Sequence, residues 1–237
     1  MSPNESTDAL IHINNLTKKY RTQTAIDDFS VTLKAGRIIG LMGANGCGKT
    51  SLLKILAGVL TDWEGTVKIC GTVPGVASKA NVAFLPTADF LDPKLTPASA
   101  IDLYQRFFAD FDARKAHDMV TFFDLPKDRQ LKEMSKGMGE KLQIALVMSR
   151  KARIYLLDEP ISGVDPAARD LILSGILKDF NEDALMLIST HLIADVETIV
   201  DEVIFMKDGR LLLHENADDL RQERSMTIDA IFRKEYR

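Results

Sequence analysis

The fold of this 237-residue chain is decided by the stretch IIGLMGANGCGKTS, residues 38–51. Its first five residues are apolar and predict a buried strand, and the helical spacing of Leu52, Leu53 and Leu56 predicts a helix directly afterwards. Between the two, glycines allow successive backbone N–H groups to curve around phosphate oxygens. The helix that follows points its positive N-terminal end at the same place. Strand, glycine loop and helix therefore predict a phosphate-binding site in an α/β fold.

The loop has the complete spacing of a P-loop, Gly43-x4-Gly48-Lys49-Thr50. Lys49 can reach the β- and γ-phosphates of a nucleotide, and the Thr50 hydroxyl can ligate Mg²⁺. A tight turn without a ligand is the alternative, which the flanking strand and helix disfavour. We expect the nucleotide to contact Gly43, Asn45, Gly46, Cys47, Gly48, Lys49, Thr50 and Ser51.

The overall composition limits the classes of function. Acidic residues exceed basic ones by 34 to 30, so the net charge of −4 disfavours sequence-independent nucleic-acid binding. The two cysteines, Cys47 and Cys70, lack the spacing of a zinc site or a disulfide scaffold. Neither a signal peptide nor an apolar run of about 20 residues is visible. We therefore expect a cytoplasmic protein whose role at a membrane, if any, depends on a partner.

Outward from the loop, the apolar patterns predict an interrupted α/β architecture. Ile11, Ile13 and Leu16 are spaced like an edge strand that pairs antiparallel with a strand around Val31. Residues 1–87 and 151–223 are predicted to form an ATP-binding core, and 224–237 a C-terminal tail. Residues 88–150 carry three helical stripes. The predicted fold is a P-loop NTPase core, mostly parallel sheet flanked by helices, with an N-terminal antiparallel β subdomain and an inserted α-helical subdomain.

A second chemical motif is the apolar strand Ile154–Leu157 followed by Asp158 and Glu159. Open α/β sheets bind ligands at the carboxyl ends of their strands. There, Asp158 can hold Mg²⁺, and Glu159 can orient and deprotonate an attacking water. Solvated loop charge is the alternative for an isolated acidic pair, but the P-loop favours the catalytic interpretation.

With these motifs, the chain resembles the ATP-binding subunit of an ABC transporter over about residues 11–223. Tyr20, which precedes Gly43 by 23 residues, matches the family's aromatic residue that stacks on adenine, and an exposed tyrosine at a strand end is the alternative. His191, beyond the third apolar run, matches the family's switch histidine, which contacts the γ-phosphate and the attacking water. Asp165 of the segment SGVD matches the family's D-loop and is equally typical of a helix N-cap.

The segment MSKGM, residues 134–138, stands where this family carries its LSGGQ signature. The match is partial and resembles a variant frequent among bacterial export-type ATPases. The resemblance implies that Ser135 and Gly137 contact the γ-phosphate bound by the other subunit of a dimer. A capping serine followed by a glycine hinge is the alternative.

One position departs from the family pattern. After Phe84-Leu85-Pro86 the family has a glutamine that touches Mg²⁺ and water, and this chain has Thr87. Threonine is shorter and cannot span the same gap, although it can act through a bridging water. Thr87 therefore stays a candidate for the metal site, together with Thr50 and Asp158.

The resemblance implies a Mg²⁺-dependent ATPase that binds ATP between two subunits, either two copies or this chain and a paralogue. It would drive a transmembrane permease subunit from the cytoplasmic face of the inner membrane, most simply for export. Catalytic roles would fall to Lys49, Glu159 and His191. An ATPase outside transport and a nucleotide-binding module without hydrolysis are the two alternatives. The simplest interpretation of Cys47 is a small side chain that the loop tolerates. Because cysteines at helix N-termini are often reactive, we also expect alkylation of Cys47 to block ATP binding and bound ATP to protect it.

Overall fold

The computed structural model of the chain describes residues 9–178 and 180–236 and, of residue 167, the backbone alone. In chain order the strands are β1 (Ala9–Tyr20), β2 (Gln23–Lys34), β3 (Arg37–Met42), β4 (Glu64–Ile69), β5 (Val82–Leu85), β6 (Ile154–Asp158), β7 (Leu185–Thr190), β8 (Glu202–Lys207) and β9 (Arg210–Asn216). The α-helices are α1 (Lys49–Leu56), α2 (Val76–Lys79), α3 (Pro97–Phe107), α4 (Ala113–Phe122), α5 (Lys136–Met148), α6 (Pro166–Leu177), α7 (Ile193–Val196), α8 (Ala217–Arg224) and α9 (Ile228–Glu235).

In the part of the chain that the structure describes, six strands form the central sheet in the order β5-β6-β7-β3-β8-β9. Neighbouring strands are parallel except β9, which pairs antiparallel with β8. The parallel strands are buried on both faces, which explains why they read as continuous apolar runs in the sequence. The carboxyl ends of β3, β6 and β7 meet at one edge of this sheet. The predicted mostly parallel α/β core is therefore confirmed. The edge at which these carboxyl ends meet is the one where open α/β sheets bind ligands.

The N-terminal sheet is antiparallel, as predicted, but its strand order corrects one expectation. Among the described residues the order is β2-β1-β4, so β1 is the central strand and not an edge. Ile11 and Ile13 pair with β2 on one side and with Ile69 and Val67 of β4 on the other. The sequence could not reveal this, because the alternating pattern reports which face is buried and not how many edges of a strand are paired.

Helices α3, α4 and α5 lie between β5 and β6 in the chain, inside the predicted insertion 88–150. Thr96, Asp112 and Ser135 cap their N-termini through side-chain oxygens. Buried Arg150 joins this helical region to the core, since its guanidinium donates to Asp110 of the insertion and, at 2.6 Å, to the Val82 carbonyl of β5. The insertion is thus helical and attached to the sheet, while its boundaries as a subdomain stay a prediction.

Most of the predicted C-terminal tail, residues 224–237, is the helix α9. Thr227 caps α9 by accepting a hydrogen bond from the Ala230 amide at 3.2 Å. Ile228 and Ile231 are buried in the core that lies beneath β8. Their spacing would have predicted an amphipathic helix. Because the segment is short and otherwise charged, the burial of this face was visible only in the tertiary structure. Among the described residues, no helix has the length and apolarity needed to cross a bilayer.

Candidate functional site

The P-loop joins the carboxyl end of β3 to the start of α1. Gly46 and Gly48 have φ values of 84° and 111°, a left-handed conformation that other residues rarely adopt. The Lys49 side chain is only 5% exposed and folds back over the loop. Its Nζ donates to the carbonyl oxygen of Gly43 at 2.8 Å and to that of Ala44 at 3.3 Å. The loop therefore has the curvature needed to bind an anion. The Lys49 ammonium group lies inside that curve.

A cavity of about 390 Å³ opens directly above this loop. Tyr20 lies at its mouth with 42% of its surface exposed, and its hydroxyl is 3.4 Å from Ser51 Oγ. A partly exposed aromatic ring at the edge of a phosphate site can stack on a planar base. The cavity lining is Tyr20, Gln23, Ala25, Asn45, Gly46, Gly48, Lys49, Thr50, Ser51, Thr87 and Glu159.

At the floor of the site, Asp158 is 1% exposed and accepts hydrogen bonds from three hydroxyl groups. Thr50 and Ser189 donate to Oδ1 at 3.2 and 2.6 Å, and Thr87 donates to Oδ2 at 2.8 Å. They converge because the loop after β3 and the ends of β5, β6 and β7 meet at one edge of the sheet. Thr87 thus reaches Asp158 directly, while its action toward a metal ion through a bridging water stays a prediction.

The donor set at this floor fits a magnesium ion. Carboxylate and hydroxyl oxygens are the hard ligands that Mg²⁺ prefers, and Mg²⁺ usually takes one or two protein ligands together with substrate phosphates. Among residues 9–178 and 180–236, no group of three or more His, Cys, Asp or Glu side chains suited to a metal occurs. Asp158 and Thr50 are the protein groups that would hold the ion beside bound phosphates.

Glu159 points between Lys49 and His191. One carboxylate oxygen is 3.5 Å from Lys49 Nζ, and the other is 2.8 Å from His191 Nδ1. Its φ of 53° is a left-handed value that costs a non-glycine residue about 1 kcal/mol. The backbone is held there because the Glu159 amide donates to both the carbonyl and the hydroxyl oxygen of Ser189. This carboxylate is therefore aimed at the cavity and oriented by a histidine.

Ser135 and Gly137 lie at the start of α5, away from the P-loop of the same chain. The exposed Ser135 hydroxyl accepts a hydrogen bond from the Met138 amide at 3.3 Å, which confirms its N-cap geometry. Neither residue belongs to the lining of the P-loop cavity. Asp165 likewise caps α6 by accepting from the Ala168 amide at 3.1 Å. The single chain therefore assembles the P-loop half of the predicted site but not the signature half.

Three residues of the site were missed by the sequence analysis. Ser189 fixes both Asp158 and Glu159, and its only signal is a polar residue at the end of a buried strand. Gln143 of α5 donates to Asp89 at 2.7 Å and so ties α5 to the loop after Thr87. Tyr236, from the C-terminal segment, contacts the P-loop itself. Long-range contacts of this kind leave no local pattern in a single sequence.

The geometry refines the expected chemistry of the two thiols. Cys47, within the P-loop, is 7% exposed, whereas Cys70 is partly exposed and burial raises the pKa of its thiol. In a Cys70→Ser protein, alkylation of Cys47 should be slow, should abolish ATP binding and should be suppressed by bound ATP. The reason is that any enlargement of Cys47 must displace the loop. Mass spectrometry and an ATP titration would check this, and a fully alkylated protein with unchanged ATP affinity would contradict it.

Known proteins resemble this chain over most of its length. A family model for ABC transporters matches residues 26–162, which is more than half of the chain. The "ABC transporter ATP-binding protein YtrB" of Bacillus subtilis is 27% identical over 219 residues, covering 90% of this chain and 74% of that protein. The "Nod factor export ATP-binding protein I" of Burkholderia lata is 32% identical over 211 residues, covering 85% of this chain and 69% of that protein.

A solved structure of an "ATP binding subunit of ABC transporter" shares the fold. Its TM-score is 0.84 at 24% sequence identity, and the match covers 95% of this chain and 99% of that one. The family model spans both the P-loop and the acidic pair, the two motifs that meet at the cavity. This chain therefore belongs to the ABC transporter family, as an ATP-binding subunit.

Proposed function

We propose that this chain hydrolyses ATP in a Mg²⁺-dependent reaction within a head-to-tail dimer, and that the dimer powers export through a separate membrane subunit. The observation that carries the proposal is the convergence of Lys49, Thr50, Asp158, Glu159 and His191 at one end of the central sheet. ATP-binding subunits of this family hydrolyse ATP and work with a membrane permease subunit. The metal, the individual residue roles and the dimer are the proposed parts.

The arrangement can promote phosphoryl transfer mainly by positioning and charge stabilisation. Backbone amides of residues 43–51 would bind the phosphates, and the Lys49 ammonium would neutralise charge on the β- and γ-phosphates. Bound Mg²⁺ would supply further charge neutralisation beside Asp158 and Thr50. Glu159 would orient a water molecule and accept its proton, while His191 would hold the Glu159 carboxylate in place. Tyr20 would stack on the adenine ring.

The position of the signature segment supports a dimer. Ser135 is exposed at the N-terminus of α5, and helix N-termini bind anions. Within the described residues it is separate from the P-loop cavity. In a head-to-tail pair, Ser135 and Gly137 of one subunit would face the phosphates held by the other. The second subunit would be another copy of this chain or a paralogue.

The direction of transport is supported by two observations. Several relatives bear the name Nod factor export ATP-binding protein, and the segment SKGM resembles a signature variant of export-type ATPases.

The hydrogen bond between Gln143 and Asp89 connects the signature helix with the loop after Thr87. This connection offers a route from the nucleotide to a membrane partner on the cytoplasmic face. Cargo contacts would then belong to that partner.

A complementation experiment tests the shared site. Ser135→Arg should lower ATPase activity roughly a hundredfold, because a partner's phosphates lose a hydrogen-bond donor and meet a bulky side chain. Lys49→Ala should be equally inactive. A mixture of the two variants should regain activity, since each mixed dimer contains one composite site with an intact P-loop and an intact signature. Phosphate release from the separate and mixed proteins is the measurement.

The matched control is Thr96→Ala, which removes the N-cap of α3 in the same helical region. It loses comparable capping energy, about 1 kcal/mol, and should retain ATPase activity. If the mixture of Ser135→Arg and Lys49→Ala chains stayed as inactive as its components, the shared site would be refuted for this chain. ATP binding by the Ser135→Arg chain alone should be unchanged.

A further inference from the structure

The C-terminal helix α9 places Tyr236 against the P-loop. The Tyr236 hydroxyl accepts a hydrogen bond from the Ala44 amide at 3.0 Å and donates to the carbonyl oxygen of Met206 on β8. A methyl group at position 43 would lie 3.2 Å from this hydroxyl, so the contact with the loop is close. A residue 192 positions from Ala44 along the chain therefore forms part of the floor beneath the loop.

The contact falls on the peptide unit that also holds Lys49. The carbonyl of the Gly43–Ala44 peptide accepts a hydrogen bond from Lys49 Nζ at 2.8 Å, while the N–H of the same unit donates to Tyr236. A peptide unit is planar and rigid, with its C=O and N–H pointing in opposite directions. Fixing the N–H with Tyr236 therefore fixes the direction of the carbonyl that Lys49 uses.

Tyr236 is itself held by packing. Its ring lies 4.3 Å from the Phe232 ring, which contacts the buried Phe205 ring at 5.2 Å. Lys207 Nζ donates to the Tyr236 carbonyl at 3.2 Å. Burial raises the pKa of Tyr236 to about 12, so the hydroxyl remains protonated at neutral pH and keeps donating to Met206. The hydroxyl is thus presented to the loop by an anchored helix.

We propose that Tyr236 is a positioning residue for nucleotide binding, because its hydroxyl orients the Gly43–Ala44 peptide and thereby keeps Lys49 aimed into the P-loop. The inference rests on the proposed roles of Lys49 and the P-loop. Without the hydroxyl, the Ala44 amide loses its partner and the peptide can rotate. The carbonyl then stops holding Lys49, whose ammonium group also has Glu159 within 3.5 Å as a competing partner. The P-loop binds ATP less tightly as a result.

The test is Tyr236→Phe, which removes only the hydroxyl and retains the ring and its packing. The dissociation constant for ATP, measured by calorimetry, should rise roughly three- to tenfold, the loss expected for one neutral hydrogen bond. KM should rise by the same factor, with kcat within about twofold of wild type, because the change acts on binding. Amide hydrogen exchange of the peptide containing Ala44 should become faster in the nucleotide-free protein.

Thr227→Ala is the matched control, because it removes the N-cap of α9 at the opposite end of the helix and leaves the Phe232 ring and the Tyr236 hydroxyl in place. It should lower the melting temperature while changing ATP affinity by less than about twofold. Unchanged or tighter ATP binding by Tyr236→Phe would overturn the inference. Weakening that merely follows the loss of melting temperature in both variants would overturn it too. If wild type itself bound no ATP, the proposed nucleotide site would fail; if wild type bound ATP and Tyr236→Phe bound it equally well, only the role of Tyr236 would fail.

Discussion

Glu159→Gln should lower ATP turnover roughly 10²- to 10⁴-fold while leaving ATP binding intact, because glutamine keeps the shape of glutamate but cannot accept a proton. The carboxylate lies 3.5 Å from Lys49 Nζ and 2.8 Å from His191 Nδ1, and the residue lines the cavity above the P-loop. The substitution leaves the hydrogen bonds from the backbone amide of residue 159 to Ser189 intact, so the segment stays in place. The consequence is a protein that closes on ATP and does not reopen.

Phosphate release and an ATP titration measure the two halves of this prediction, and light scattering with ATP present detects the trapped dimer. Glu202→Gln is the matched control. Glu202 pairs with His214 at 2.8 Å, the same distance and chemistry as the pair formed by Glu159 and His191. It lies outside the lining of the P-loop cavity, so its loss should leave turnover near wild type. A Glu159→Gln protein with wild-type turnover would refute the role of Glu159 as the base.

Asp158→Asn should abolish the dependence of ATP binding and hydrolysis on Mg²⁺. The native carboxylate accepts hydrogen bonds from Thr50, Thr87 and Ser189 and carries the negative charge that the ion requires. Asparagine removes the charge and presents an N–H₂ group in place of one acceptor, so at least one hydroxyl loses its partner. We expect a fall in turnover of roughly 10²- to 10³-fold.

ATP affinity measured with Mg²⁺ and with a chelator is the decisive comparison, since Asp158→Asn should bind ATP equally in both. Two substitutions of Thr87 extend the test to the loop position that departs from the family pattern. Thr87→Ser keeps the hydroxyl and should retain ATP turnover. Thr87→Val should lower ATP turnover roughly tenfold, because Asp158 Oδ2 is left without a hydrogen-bond donor. Strong Mg²⁺ stimulation in Asp158→Asn would contradict the proposed metal site.

Much of the core architecture was predictable because its signals are local. The run from Ile38 to Met42 and the glycines of the P-loop predict a strand, a loop and a helix within about twenty residues. The buried strand before Asp158 is equally plain, since parallel strands are apolar on both faces. Strand order was less accessible, and β1 proved central where an edge was expected. An alternating pattern contains no information about the second neighbour of a strand.

The contacts within the site were only partly accessible. The Thr87 hydroxyl reaches Asp158 at 2.8 Å because the ends of β5 and β6 are adjacent, a contact that the sequence did not predict. Ser189 is placed on the same carboxylate because β6 and β7 are adjacent as well. Both contacts depend on which strands are neighbours, a property of the assembled sheet.

The amino-acid sequence by itself determined the α/β core, the P-loop with Lys49 and Thr50, and the acidic pair Asp158 and Glu159, because each is written in a few consecutive residues. Only the tertiary structure decided that Thr87 and Ser189 share the Asp158 carboxylate and that Tyr236 reaches Ala44 from the far end of the chain. The physical reason is that side chains far apart in sequence are brought together by strand order and helix packing, and these are set by burial over the whole chain rather than by local pattern.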